Sequence, residues 1–153
     1  MTARFCSKQC NADALHSTGI ARNRFIAMCL DQSTPTDPID LSPDTKVIDQ
    51  LSPEIREATW LFLKEIASVA CTKKQIRIVE LYFEDGLTQN EIAVKLKLNQ
   101  SSVHKTLYGI KVNSNQDKAR KYLGKYYGGA IRGIRKMLGR EPCLTKLQAT
   151  LAG

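Results

Sequence analysis

An all-α fold is predicted for this chain, on three observations. Apolar residues recur at spacings of three and four in several segments; Ser, Thr and Asn stand where helices would begin; and no convincing alternation of apolar and polar residues marks a strand. With 153 residues, 42% hydrophobic and 25% charged, the chain has the composition of a globular protein and the length for one compact core. No apolar run approaches the length of a membrane span.

The first 30 residues have no clean period, although Ile20, Arg22, Arg24, Phe25, Met28 and Cys29 are compatible with a short helix. Pro35, Pro38 and Pro43 then crowd the stretch from Asp31 to Asp44, and proline suits neither a helix interior nor a sheet ladder. Residues 1–45 are therefore read as an N-terminal arm and proline-rich linker. Ser52-Pro53-Glu54 is a helix start: serine caps free amides, proline is tolerated at the first position, and glutamate complements the positive helix end. Behind it Ile55, Thr59, Phe62, Ile66 and Val69, widened by Trp60, Leu61 and Leu63, predict an amphipathic helix over about 53–70. Its main role is core, and its surplus of apolar residues could also serve a homodimer or a partner protein.

Three more helices are punctuated between Thr72 and Ile110. The first runs from about Lys73 to Glu84, with Ile76, Val79 and Phe83 on one face, and stops at Gly86. Thr88 and Glu91 form a capping box that starts the second, which turns Ile92, Ala93 and Leu96 inward; the small Ala93 permits close helix crossing. Leu98 plugs the turn, and Asn99 caps a third helix whose Val103, Leu107 and Ile110 face the core. This spacing predicts a trihelical helix-turn-helix core. Gln100, Ser101, Ser102, His104 and Lys105 then lie on the exposed half of the last helix, where base-reading residues of such a unit stand. Glutamine can pair with adenine, serine with several base edges, and lysine with guanine or phosphate. Lys73, Lys74, Thr88 and Asn99 would hold phosphates near the helix starts.

These residues resemble the helix-turn-helix of region four in sigma factors of the sigma-seventy class, over about residues 72–110 only. The matching features are the helix ending in Glu84-Asp85-Gly86, then Leu87-Thr88, Glu91-Ile92-Ala93, Leu96, Leu98, Ser101 and Val103. The resemblance implies a trihelical unit that docks its last helix in the major groove of duplex DNA, with RNA polymerase as an implied partner. Lys97 stands where that family commonly has glycine, and Ser102 and His104 where it often has arginine. Nothing upstream resembles the helices with which a complete sigma factor melts DNA. A free-standing regulator, phage or bacterial, is the expectation.

Charge supports that expectation. The net charge of +8 is unevenly divided: residues 1–70 carry 7 Lys/Arg against 9 Asp/Glu, and the remainder 16 against 6. Between Lys105 and Arg140 lie ten basic residues and a single acidic one, Asp117. Tyr127, Ile131, Ile134 and Leu138 recur at helical spacing, with Arg132, Lys136 and Arg140 on the other side. Lys111, Arg132, Arg135, Lys136 and Arg140 are accordingly assigned to phosphate binding, on a basic C-terminal helix that clamps the DNA backbone. Gly128-Gly129 lacks the pattern of a phosphate loop and reads as a hinge or a helix start. Residues 141–153 are expected to form a tail with at most a short turn around Leu144–Leu151, which leaves 46–140 as the DNA-binding domain.

The five cysteines are odd in number and scattered, the pattern of reduced thiols in a cytoplasmic protein. Cys6, Cys10, His16 and Cys29 could ligate zinc in principle, but paired CxxC spacing is absent and no metal or other cofactor is expected. No nucleophile stands beside a base and no carboxylate cluster has catalytic spacing, so the expectation is a binding protein and not an enzyme. The alternatives are a DNA-packaging or recombination accessory of the small terminase type, and a protein-interaction module.

Overall fold

The computed structural model describes residues 19–32, 36–111 and 125–152, and these are mostly helical. Helix α1 spans residues 19–30, followed by the one-turn α2 (Lys46–Asp49) and the long α3 (Pro53–Ala70). Next come α4 (Lys73–Val79), a π-helical turn at Glu80–Glu84, α5 (Gln89–Leu96) and α6 (Gln100–Tyr108). A two-residue antiparallel pairing of β1 (Ile110–Lys111) with β2 (Tyr126–Tyr127) leads into α7 (Ala130–Leu138) and α8 (Glu141–Leu151).

The caps act as the sequence suggests. Ser52 accepts from the Ile55 amide at 3.2 Å, with Pro53 at the first helical position. Thr88 accepts from the Glu91 amide at 3.2 Å while the Glu91 carboxylate accepts from the Thr88 amide. Thr72 and Gln75 form a second capping box, not anticipated, that separates α4 from α3. Asn99 accepts from the Ser102 amide at 2.7 Å.

Along α3, Thr59, Trp60, Phe62, Leu63, Ile66 and Ala67 are buried. Thr59 is tolerated there because its hydroxyl donates to the Ile55 carbonyl at 2.7 Å. Two residues assigned to the apolar stripe lie outside it: Leu61 is 54% exposed and Val69 73% exposed. At 3.6 residues per turn Leu61 falls opposite the centre of the buried face, and Val69 falls on its rim.

The described part of residues 1–45 is not simply an arm. Phe25, Ile26, Met28 and Cys29 of α1 are buried, and Phe25 lies 5.2 Å from the Trp60 ring and 4.8 Å from the Phe83 ring. Asn23 is held by Asp49 of α2 at 2.7 Å, which ties α1 to the segment beyond the prolines. The C-terminal tail is also revised. Residues 141–151 form a helix that packs on α3 and α7, burying Leu147, with Lys146 placed 3.4 Å from Glu65. A short helix over Ile20–Cys29 and a turn near Leu144–Leu151 were legible in sequence, but their packing onto the core was not, because burial depends on the surface each meets.

Ile110, expected to continue α6, instead lies in β1, since the helix ends at Tyr108 and Gly109 takes φ 83. Tyr127, expected on the C-terminal helix, pairs with Ile110 in β2. The first helix of the trio is likewise not uniform. Its last turn widens, with the Asp85 amide bonded to the Glu80 carbonyl, and ends where Gly86 takes φ 74 and the Leu87 amide reaches the Leu81 carbonyl.

Cys29, Cys71 and Cys143 are free thiols. Burial pushes Cys29 well above its ordinary value, aided by nearby Cys71 and opposed by the Arg135 charge. Burial also raises Cys71 to about 11. Stability from the raised Cys71 value is fully present below the free thiol's pKa and is lost as pH rises through the folded one. Alkylation of native Cys71 by iodoacetamide should therefore show a pH midpoint about two units above that of the unfolded chain; coincident midpoints would contradict its burial.

Phe25→Ala should lower unfolding free energy by about 3–5 kcal/mol in urea denaturation, whereas exposed Val47→Ala should change it by less than about 0.5 kcal/mol. A small effect at Phe25 would return the N-terminal segment to the status of an arm.

Candidate nucleic-acid interface

Helices α5 and α6 pack against each other, and α6 also packs on α4 and α7. Val103, Leu107 and Tyr108 bury one side of α6, so its orientation is set by apolar contacts. The connection from α5 is short. Lys97 takes the left-handed conformation, φ 58 and ψ 44, and the Leu98 amide bonds the Ala93 carbonyl at 2.8 Å. It is the one described non-glycine residue with positive φ. Holding a lysine there costs about 1 kcal/mol, which the packing of Ile92, Ala93 and Leu98 around it must offset.

The residues expected to read bases divide into two groups. Gln100, Ser101 and Lys105 are exposed on the free side of α6. Ser102 and His104 are half-buried. The Ser102 amide serves the Asn99 cap and its carbonyl accepts from Thr106 at 2.8 Å. The His104 ring lies 4.9 Å from the Tyr108 ring, and its Nδ1 is 3.4 Å from Nε2 of Gln89. Gln89, the first residue of α5, also accepts from Gln100 through its Oε1 at 2.7 Å. Sequence reading passed over Gln89, because nothing in its neighbourhood signals that two helix starts eleven residues apart would meet.

Lys73 and Lys74 are exposed in the first turn of α4, and Lys111, Lys136 and Arg140 are exposed as well. Thr88 and Asn99 are exposed with their oxygens accepting capping bonds; the Thr88 hydroxyl proton and the Asn99 amide group retain the donor capacity that an anion requires.

Arg132 and Arg135 do not belong to a phosphate clamp, and this corrects the assignment made from their spacing. They are only 4% and 3% exposed. Arg132 donates to the carbonyl of Tyr108, the last residue of α6, and to the Asp37 carbonyl at 2.6 Å. Its guanidinium also lies 5.2 Å from the Tyr126 ring. Arg135 donates through Nε to the Asp31 carbonyl at 2.8 Å, with the Asp31 carboxylate 3.8 Å away. Burial, then the neighbouring Arg135 charge, lowers the Arg132 pKa from its ordinary value; Tyr126 and Asp37 oppose the shift. A guanidinium remains charged through such a shift, so the carbonyls around it act as the solvent it has lost.

Space at this junction is tight. A Cβ at Gly109 would come within 2.5 Å of the Gly128 and Tyr127 carbonyls and 2.7 Å of the Arg132 guanidinium, and one at Gly129 would collide with the Gly109 backbone. Gly129, at φ 86 in the cap position, is thus a close-packed start to α7, whereas Gly128 has open space around it and is set apart only by its φ of 76.

Of the zinc candidates, Cys6, Cys10 and His16 lie outside the described residues, and Cys29 is enclosed by the core. Among the described residues no group of three or more His, Cys, Asp or Glu is placed to hold a metal ion, and no helix is long and apolar enough to cross a membrane. No protein-family model, curated protein or solved structure matches the chain.

Arg132→Ala should lower unfolding free energy by about 2–4 kcal/mol, because it strands the buried Tyr108 carbonyl and releases the part-buried Asp37 carbonyl, whereas Lys136→Ala should stay within about 0.5 kcal/mol. Equal, small effects in urea denaturation would restore Arg132 to the surface role.

Proposed function

We propose that the protein is a sequence-specific binder of double-stranded DNA, a transcription regulator in which α4, α5 and α6 form a helix-turn-helix and α6 enters the major groove. The observation that carries the reading is the two-sidedness of α6. Val103 and Leu107 anchor it, while Gln100, Ser101 and Lys105 stand together on its free N-terminal half. A helix that is merely core would have its polar face scattered; this one concentrates side chains able to pair with base edges beside a capped start.

Electrostatics supports the same reading. With Arg132 and Arg135 assigned to the interior, Lys73, Lys74, Lys105, Lys111, Lys136 and Arg140 supply exposed positive charge for a polyanion. The likeness to sigma region four adds RNA polymerase as a second proposed partner, reached while the protein sits on DNA. Catalysis has no part in this proposal.

Selection of fragments from random duplex DNA, followed by fluorescence anisotropy across a salt series, tests it. Gln100→Ala and Lys105→Ala should each lower preference for the selected sequence by about 1–3 kcal/mol. Lys74→Ala and Lys136→Ala should weaken all duplexes alike, each reducing the salt slope by about one. Recovery of no preferred sequence, or base preference untouched by both α6 substitutions, would overturn the reading.

A further inference from the structure

Three features of the fold lie outside the function proposed above. One is a shallow hollow between α1 and α3, lined by Arg22, Asn23, Arg56, Glu57 and Trp60. There Glu57 and Glu84 already pair with Arg22, at 3.1 and 3.6 Å, so its charge is matched by the protein itself. Another is the exposed Leu61 and Val69 of α3, over which the structure seats nothing. The third is the side-chain chain Gln100–Gln89–His104, which links the start of α5 to the free side of α6 and has no role in capping or in the core.

We infer that Gln89 is a positioning residue that holds the Gln100 amide in the orientation that reads adenine, an assignment that rests on the DNA-binding reading of α6. Gln100 is exposed on a long side chain with several accessible rotamers, and an unrestrained glutamine loses much of its binding free energy to ordering. Here one hydrogen of its Nε2 is donated to Gln89 Oε1 at 2.7 Å. That bond fixes the plane of the Gln100 amide, leaving the second Nε2 hydrogen as donor and Oε1 as acceptor. Adenine presents the matching pair in the major groove, N7 accepting and the N6 amino group donating. Guanine presents two acceptors there, so a fixed donor-acceptor pair meets it with one wrong partner.

Gln89 is itself restrained. It occupies the first position of a helix started by the Thr88–Glu91 capping box, and its Nε2 faces Nδ1 of His104 at 3.4 Å. With its Oε1 accepting from Gln100, Gln89 has only its Nε2 amide group to offer to this ring nitrogen. The His104 ring is in turn set against Tyr108, a residue whose carbonyl Arg132 holds. Orientation of the reading amide therefore passes from the buried end of α6 to its free end through side chains.

The test uses the full chain and the duplex recovered by selection, with single-base variants at each position. Gln100→Ala should reduce discrimination for adenine at one base pair by about tenfold or more. Gln89→Ala should reduce discrimination at that same base pair by at least about threefold, with affinity for bulk duplex unchanged. It should have no further effect in the Gln100→Ala background. Gln89→Glu, which keeps an acceptor for the Gln100 amide, should restore the discrimination ratio even though its charge weakens overall binding. Melting temperatures of these surface variants should match the parent. If Gln100→Ala relaxes the preference and Gln89→Ala does not, the positioning role is wrong and the DNA-reading role of α6 stands. If no base preference is recovered from selection at all, both fail.

Discussion

The structure depends most on one buried guanidinium. Arg132 lies at the point where the end of α6, the turn into α7 and the proline-rich segment converge, and it bonds carbonyls of Tyr108 and Asp37. A fixed cation serves both carbonyls at once. The glycines at 109 and 129, where a Cβ would strike neighbouring backbone, allow the chain to close around it. The contact ties the end of α6 to α7, while the buried apolar side of the helix sets its orientation.

Around that junction the core is an aromatic and aliphatic cluster with contributions from both ends of the described chain. Phe25 of α1 fits between Trp60 and Phe83, Ile131, Ile134 and Leu138 of α7 are fully buried, and α7 packs on α3. The three helices of the proposed DNA-binding unit therefore do not form a separate module. α4 and α6 share α7 as a support, and α1 closes over the widened last turn of the first helix through Phe83. Arg22 and Lys64 extend this closure at the surface, reaching Glu84 at 3.6 and 2.9 Å from α1 and α3.

Formal charge and available charge differ in this protein. Two arginines of the basic C-terminal half face inward, where they bond backbone carbonyls of Asp31, Asp37 and Tyr108. The exposed positive charge of the proposed interface thus rests largely on lysines, whose compact ammonium groups suit phosphate as point charges, and in the proposed reading the planar group capable of bidentate pairing on α6 is that of Gln100.

What the sequence by itself determined is local. The caps at Ser52, Thr88 and Asn99 and the stop at Gly86 each follow from chemistry within a few residues, and so the starts of α3, α5 and α6 were legible, whereas the end of α6 at Gly109 was not, since Ile110 was expected to continue the helix. The two-sided character of α6 was legible for the same reason. Only the tertiary structure decided which charges face outward. Arg132 and Lys136 lie one helical turn apart and look equivalent as a pattern, yet one is 4% exposed and the other lies in solvent. Periodicity separates apolar from polar faces, but a long arginine can bury its stem and carry its head to distant carbonyls; those partners, at Asp37 and Tyr108, come together only when the chain has folded. The Gln89–Gln100 bond belongs to the same class, a contact between two helix starts that no local rule joins.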